Sequence, residues 1–213
     1  MIEAISKNPK GVTFFQQWVL THCILCIMCL TPLLLSAQQS QDINLLQTDD
    51  TWRKEAFNFP IPFVPEIDFE GQADVRFTEG WQDKDSPLFW SYAFAWKLNG
   101  EQQLSNIELE KYMEIYFDGL MRVVNKDKEK VLAPTNALFT SVLQEDVIQY
   151  TGKIKLYDAF FTQEMLALYV NGTYEFCEDT GKSLFLFRLS PQTVGSEIWD
   201  FVNQAELVEG SCE

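Results

Sequence analysis

Residues 89–96 read FWSYAFAW, with Trp90, Tyr92, Phe94 and Trp96 at every second position. Between them stand Phe89, Ser91, Ala93 and Ala95. Alternate side chains of a strand point to opposite faces, so this stretch predicts a strand with one aromatic face and one nearly bare. Such a face is either a ligand platform or core. Each ring buries roughly 150–250 Å², and monomers rarely leave so large an apolar patch open. Core is therefore the favoured reading, with the rings turned toward a helix. Trp96, nearest a turn, is the member expected to be partly exposed. The Ala93–Ala95 side is expected against solvent or beneath a proline-rich segment.

Working outward, the aromatic strand is expected over residues 88–98, after a strand in ADVRFTEGW (73–81) and a QDKDSP loop. NGE at 99–101 is a turn signal. Ser105 with Glu108 three residues on forms a capping box. Leu109, Tyr112, Met113, Tyr116, Phe117, Leu120, Met121 and Val124 then recur at helical spacing, which predicts one wide apolar stripe on a helix over 106–124. Upstream, FPIPFVPEI (59–67) carries three prolines, which exclude helix and predict an extended path; its apolar residues imply that the path is packed down. Downstream, 135–145 is a weak strand, YTGKIKLYDAFF alternates at Ile154 and Leu156, and LFLFRLS is a strong strand. Asn171-Gly172, inside MLALYVNGTYEFCE, reads either as a hairpin turn or as a bulge in one long strand. A short helix over 196–205 is expected to turn Ile198, Phe201 and Val202 inward. The fold class is α+β: a curved, mostly antiparallel sheet packed on one main helix, with a short C-terminal helix.

The N-terminus reads as a targeting segment. Lys7 and Lys10 precede an apolar run that ends in Ser36-Ala37, the order of a secretory signal. A cleaved signal peptide over 1–37 is expected, followed by a loosely ordered polar leader over 38–58 and a single domain over 59–213. The run is also long enough to approach a membrane span, so membrane association is expected only if it stays uncleaved. The single histidine of the chain, His22, lies in this segment. Loss of Lys7, Lys10 and Glu3 takes the formal net charge from −15 to −16. That balance argues against nucleic acid as a partner and is otherwise the mark of a solvated acidic surface. Cys177 and Cys212 are the cysteines beyond the signal, and export predicts a disulfide between them.

Without histidine, residues 38–213 hold no Ser-His-Asp or Cys-His machinery and no histidine-ligated zinc. There is no glycine-rich phosphate loop, and no cofactor is expected. Carboxylates remain. Glu66, Asp68 and Glu70 alternate in PEIDFEG and would share one face of an extended segment, a candidate cation cluster without the spacing of a calcium loop. Asp158 is the acid most isolated in apolar sequence, and a buried acid is a functional candidate. It reads equally as a turn or cap residue. Trp81, Trp96 and Asp158 are the candidate ligand contacts. NGT at 171–173 matches the N-glycosylation pattern.

FPIPFVPEIDFEG, VRFTEGW and FWSYAFAW, taken with YDAFF and FRLSP, resemble an uncharacterised family of exported bacterial proteins, over about residues 52–203. The LLLSAQQS ending is similar to signals of the Bacteroidetes. The resemblance implies secretion and a single domain, and supplies no catalytic residue. The expected function is that of an exported envelope or periplasmic protein, a non-catalytic binding module for an envelope protein or a small ligand. The alternatives are a carboxylate-based, glycan-type hydrolase and a carrier of an apolar ligand.

Overall fold

A computed structural model describes residues 43–212. The expected signal peptide, its cysteines and residues 38–42 lie outside them. The elements run β1 (Leu46–Gln47), β2 (Arg53–Phe59), β3 (Gly71–Phe77), β4 (Tyr92–Asn99), α1 (Asn106–Val124), β5 (Asn136–Gln144), β6 (Val147–Tyr157), β7 (Met165–Cys177), β8 (Lys182–Ser190), α2 (Glu197–Val202) and β9 (Glu206–Leu207). Seven strands form one open antiparallel sheet in the order β2-β3-β4-β8-β7-β6-β5, and β1 pairs with β9. The chain is thus α+β, mostly antiparallel sheet with one main helix and a short C-terminal one.

Helix α1 covers the predicted residues and begins with the predicted box. The Ser105 hydroxyl accepts from the Glu108 N–H, and the Glu108 carboxylate accepts from the Ser105 N–H. The Ser105 hydroxyl also donates to the Glu108 carboxylate, and this bond, then the one from the Ser105 N–H, holds that carboxyl below its ordinary range. The helix contributes Leu109, Met113, Phe117 and Met121 to the main core, which also contains Trp90, Tyr92, Phe94 and Trp96. The aromatic stripe is therefore buried among core side chains. Trp96 is not partly exposed as expected but 1% exposed, because Phe59 meets it edge-on and Phe185 and Phe187 close the other side.

The proline-rich segment is packed, as its apolar residues implied: Ile61, Val64 and Ile67 are fully buried. It runs so close to α1 that a Cβ on Gly119 would lie 2.3 Å from Val64 Cγ1 and 2.8 Å from the Phe63 carbonyl oxygen. Glycine in mid-helix carries a propensity cost, and this close approach explains it.

The bare face of β4 differs from expectation. Ala93 and Ala95 lie neither in solvent nor under the prolines. They belong to a second, smaller cluster with Ile43, Leu45, Leu46, Trp52, Leu186 and Ala205. The segment expected to be a loosely ordered leader thus supplies β1, β2 and part of a core. Asp74, on β3 and fully buried, anchors it: its carboxylate accepts from the N–H groups of Leu45 (2.9 Å) and Leu46 (3.1 Å) and from Arg76 Nε (2.9 Å). Helix α2 is shorter than expected. Its inward residues are Trp199 and Val202, with Phe201 packed against the small cluster and stacked on Trp52.

Asn171-Gly172 is neither turn nor bulge. β7 runs unbroken for 13 residues, in continuous pairing with both neighbours. A Cβ at Gly172 would lie 2.5 Å from the Phe187 ring of β8, so the position has room only for glycine.

Cys177 and Cys212 form a disulfide, with Cα atoms 5.1 Å apart. Peptide mapping after alkylation of the denatured, unreduced protein should find neither cysteine labelled; two reactive thiols would refute the bridge.

The outer edge of β5 is covered by α1. Three helix carboxylates, one per turn, accept from N–H groups at its start and from that of the residue before it: Glu110 from Phe139 (2.8 Å), Glu114 from Ala137 (3.0 Å) and Asp118 from Thr135 (2.8 Å). An uncovered strand edge is a template for another chain, and the helix removes that part of it.

Candidate aromatic binding cavity

Three segments converge at the end of the sheet where β4 begins. The first is the loop between β3 and β4, tied as consecutive turns by bonds from Trp81 N to Thr78 O, Asp83 N to Gly80 O and Ser86 N to Asp83 O. It ends at Trp90, whose N–H donates to the Trp81 carbonyl and whose φ is 54°. The strand therefore starts later than the expected residue 88: pairing begins only at Tyr92. A bulky residue in the left-handed region is strained, and it persists where its surroundings fix it; such residues concentrate at functional sites.

The second segment joins β6 to β7. Asp158 is fully buried there, and its carboxylate accepts from the N–H groups of Phe160 (3.0 Å), Phe161 (3.2 Å) and Thr162 (2.9 Å) and from the Thr162 hydroxyl (2.8 Å). These bonds satisfy the acid within the loop and present the two rings that follow it. Both rings meet Trp81 edge-on, at 5.6 and 5.1 Å between centroids. The third segment is β2, which brings Arg53. Its guanidinium lies 5.0 Å from the Phe77 ring centroid and 5.7 Å from that of Trp81, within cation–π range. It also pairs with Glu55 at 3.2 Å, both side chains about half exposed.

Between these segments is a cavity of about 420 Å³, walled by aromatic rings, with Arg53, Glu55 and Gln82 among its lining residues. Neither the Trp81 nor the Trp90 indole N–H has a hydrogen-bond partner. Tyr92 and Tyr116 add two phenols, and burial pushes both hydroxyls up from their usual range, so both are protonated at neutral pH. The arrangement suits a guest with a broad apolar body. Glu55 is the one acid on the wall, and a glycosidase needs two carboxyl groups flanking the bond it cleaves.

Of the candidate ligand contacts, Trp81 stands on the cavity wall. Asp158 stands behind the wall as the group that positions Phe160 and Phe161. Trp96 lies in the core, away from the cavity lining. Glu66, Asp68 and Glu70 are each exposed, with Ile67 and Phe69 between them buried, and Glu66 lies in a turn rather than in an extended stretch. Asn99 Nδ2 donates to Glu70 at 3.2 Å. Among the described residues no group of three acids, cysteines or histidines is placed to hold a metal ion. Phe77, Phe160, Phe161 and Arg53 are not singled out by the sequence, and Trp90 and Tyr92, read there as core with the rest of the aromatic face, also line the cavity. The available signal was Asp158 followed closely by two phenylalanines, the pattern of an Asx cap that displays rings.

A second cavity, of about 350 Å³, lies at the C-terminal end of α1 beside Arg122, Lys128 and Lys130. Lys128 Nζ donates to the Arg122 and Val123 carbonyls and so caps the helix, and Lys130 donates to the Tyr157 hydroxyl. Two of its three cations are thus held by local structure. Among the described residues no helix is long and apolar enough to cross a membrane. No protein-family model, curated protein or solved structure matches the chain.

Proposed function

We propose that this chain is an exported bacterial envelope protein, a non-catalytic binding module whose ligand is a small apolar molecule held in the aromatic cavity. The observation that carries the reading is the convergence of rings from three separate segments around about 420 Å³, within the range of small-molecule sites. The strained Trp90 and the Asp158 cap support it, because both hold wall residues in place where a plain core would need neither. The sheet is taken to curve over α1, and the chain to belong with the exported family its motifs resemble. Export rests on the basic-then-apolar start of the sequence.

Two measurements test this. N-terminal sequencing of the protein recovered from the envelope fraction should begin close to Gln38; an intact Met1 on a membrane-bound species would remove the cleaved-signal part. For binding, hydrophobic aromatic probes should raise the melting temperature of the wild type, since a ligand that binds only the native state stabilises it. Phe161→Ala, which opens one wall, should abolish most of that shift. A wild type whose melting temperature no such probe moves would sink the binding reading.

A further inference from the structure

The wall of the aromatic cavity already carries a cation on its rings. Pairing of β2 with β3 sets Arg53 directly opposite Phe77, and Glu55 stands two residues along β2, on the same face. The Arg53 guanidinium lies 5.0 and 5.7 Å from the Phe77 and Trp81 ring centroids, with the Glu55 carboxylate 3.2 Å from it. Aromatic faces gathered around a positive charge are the means by which proteins recognise organic ammonium ions. The Arg53 and Glu55 side chains are 51% and 58% exposed, so the guanidinium can turn into solvent and uncover the ring faces for another cation. Arg53, Phe77 and Trp81 also wall a second hollow, of about 280 Å³, that adjoins the cavity and has Glu79 on its rim. Among the described residues that line the two hollows there are two acids, Glu55 and Glu79, and one cation, Arg53. The chain as a whole has a formal net charge of −15, which draws cations toward it.

Resting on the reading of this cavity as the site for an apolar body, we infer that the ligand also carries an ammonium group, and that this group takes the place Arg53 holds over Phe77 and Trp81. The body fills the aromatic cavity. The ammonium lies over the two rings at the mouth and faces the Glu55 carboxylate, and Arg53 turns out to water. Because the mouth is open, the ammonium keeps part of its hydration, and the penalty for burying a charge stays small. A carbon isostere of the same shape gains the apolar contact and neither electrostatic one. An anion would meet Glu55 and the negative faces of the rings.

Three probes with one naphthalene body separate the outcomes: (2-naphthylmethyl)trimethylammonium, its carbon isostere 2-neopentylnaphthalene, and 2-naphthylacetate, titrated calorimetrically into the disulfide-intact protein. The ammonium is expected to bind about tenfold more tightly than the isostere, within the range of cation–π contacts. Arg53→Met removes the competing charge and keeps an apolar stem, and should widen that ratio about threefold; Glu55→Gln should narrow it. A purely structural Arg53 predicts no such gain from its removal. The wild-type comparison stands by itself if either variant fails to fold. Equal binding of ammonium and isostere overturns the inference and leaves the binding site intact. So does a ratio that Arg53→Met fails to widen or Glu55→Gln fails to narrow. Tightest binding of the naphthylacetate, lost in Arg53→Met, overturns it in favour of an anion site at the mouth. If none of the three binds, the binding-site reading falls, and the inference with it.

Discussion

Phe94→Ala should unfold with a loss of about 3–5 kcal/mol, the range for emptying a phenylalanine site in a core. Phe94 is 4% exposed and touches rings on three sides: Tyr92 at 6.2 Å, Trp96 at 5.3 Å and Phe187 of β8 at 5.1 Å between centroids. Phe187 fills the space over Gly172 on the next strand, so a shift toward the vacated site would open a gap there instead. Urea denaturation measures the loss. A variant within about 1 kcal/mol of the wild type, the typical value for an average substitution, would show that the site is not tightly packed. Ligand binding by this variant, measured where it is still folded, should be little changed. The face of β4 therefore does two jobs along its length: Tyr92, with Trp90 of the preceding loop, lines the cavity, and Phe94 and Trp96 fill the core.

Asp74→Ala is expected to cost as much, about 3–5 kcal/mol, for an electrostatic reason. The substitution leaves the Arg76 guanidinium, only 11% exposed, without its 2.9 Å carboxylate partner. It also strands the N–H groups of Leu45 and Leu46. Asp74→Asn keeps one acceptor oxygen and should lose less. Hydrogen exchange locates the damage: in Asp74→Ala the amides of residues 45–47 should exchange much faster, while those of β7 keep their order relative to one another. A loss spread evenly over the whole sheet would contradict the idea that Asp74 acts as a local anchor.

These two residues also show what was legible in the sequence. The period of FWSYAFAW announces Phe94 as part of a face, and the helical stripe with its capping box announces α1 at its observed limits. Both are local signals. Asp74 is one of 31 acids in the chain, and nothing beside it indicates that it binds backbone 28 and 29 residues away. The same holds for Ile43, Leu45, Leu46 and Trp52. They are scattered through polar sequence without a period, so they read as a loose leader, and only the bare Ala93–Ala95 face gives them a place. Trp199 does not stand out beside Ile198, Phe201 and Val202, the residues of its short helix expected to face inward. It is nevertheless the buried ring, with its indole N–H donating to the Gln192 carbonyl at 2.9 Å. The cavity was the least legible feature. Trp81 could be picked out alone, but Arg53, Trp90, Phe160 and Phe161 come together only through the sheet order and two loops.

The carboxylates that cover β5 have a geometric consequence of their own. Four residues of helix advance about 6.0 Å, and two residues of antiparallel strand advance about 6.8 Å. Glu110, Glu114 and Asp118 therefore march nearly in step with Phe139, Ala137 and Thr135, like the two scales of a vernier. After two intervals the scales have drifted apart by about 1.6 Å on these rises, which bounds such a match to a few rungs. The match matters because the side chains of β5 align it poorly: Leu138, Val142 and Leu143 are all more than 60% exposed. A slip by two residues would keep every side chain on its face, so hydrophobicity alone tolerates it. The hairpin with β6 does not, since its nine pairs are closed by the two-residue turn Glu145-Asp146, which fixes the register. The alignment of this edge strand is thus set by β6 on one side, and the helix on the other keeps step with it.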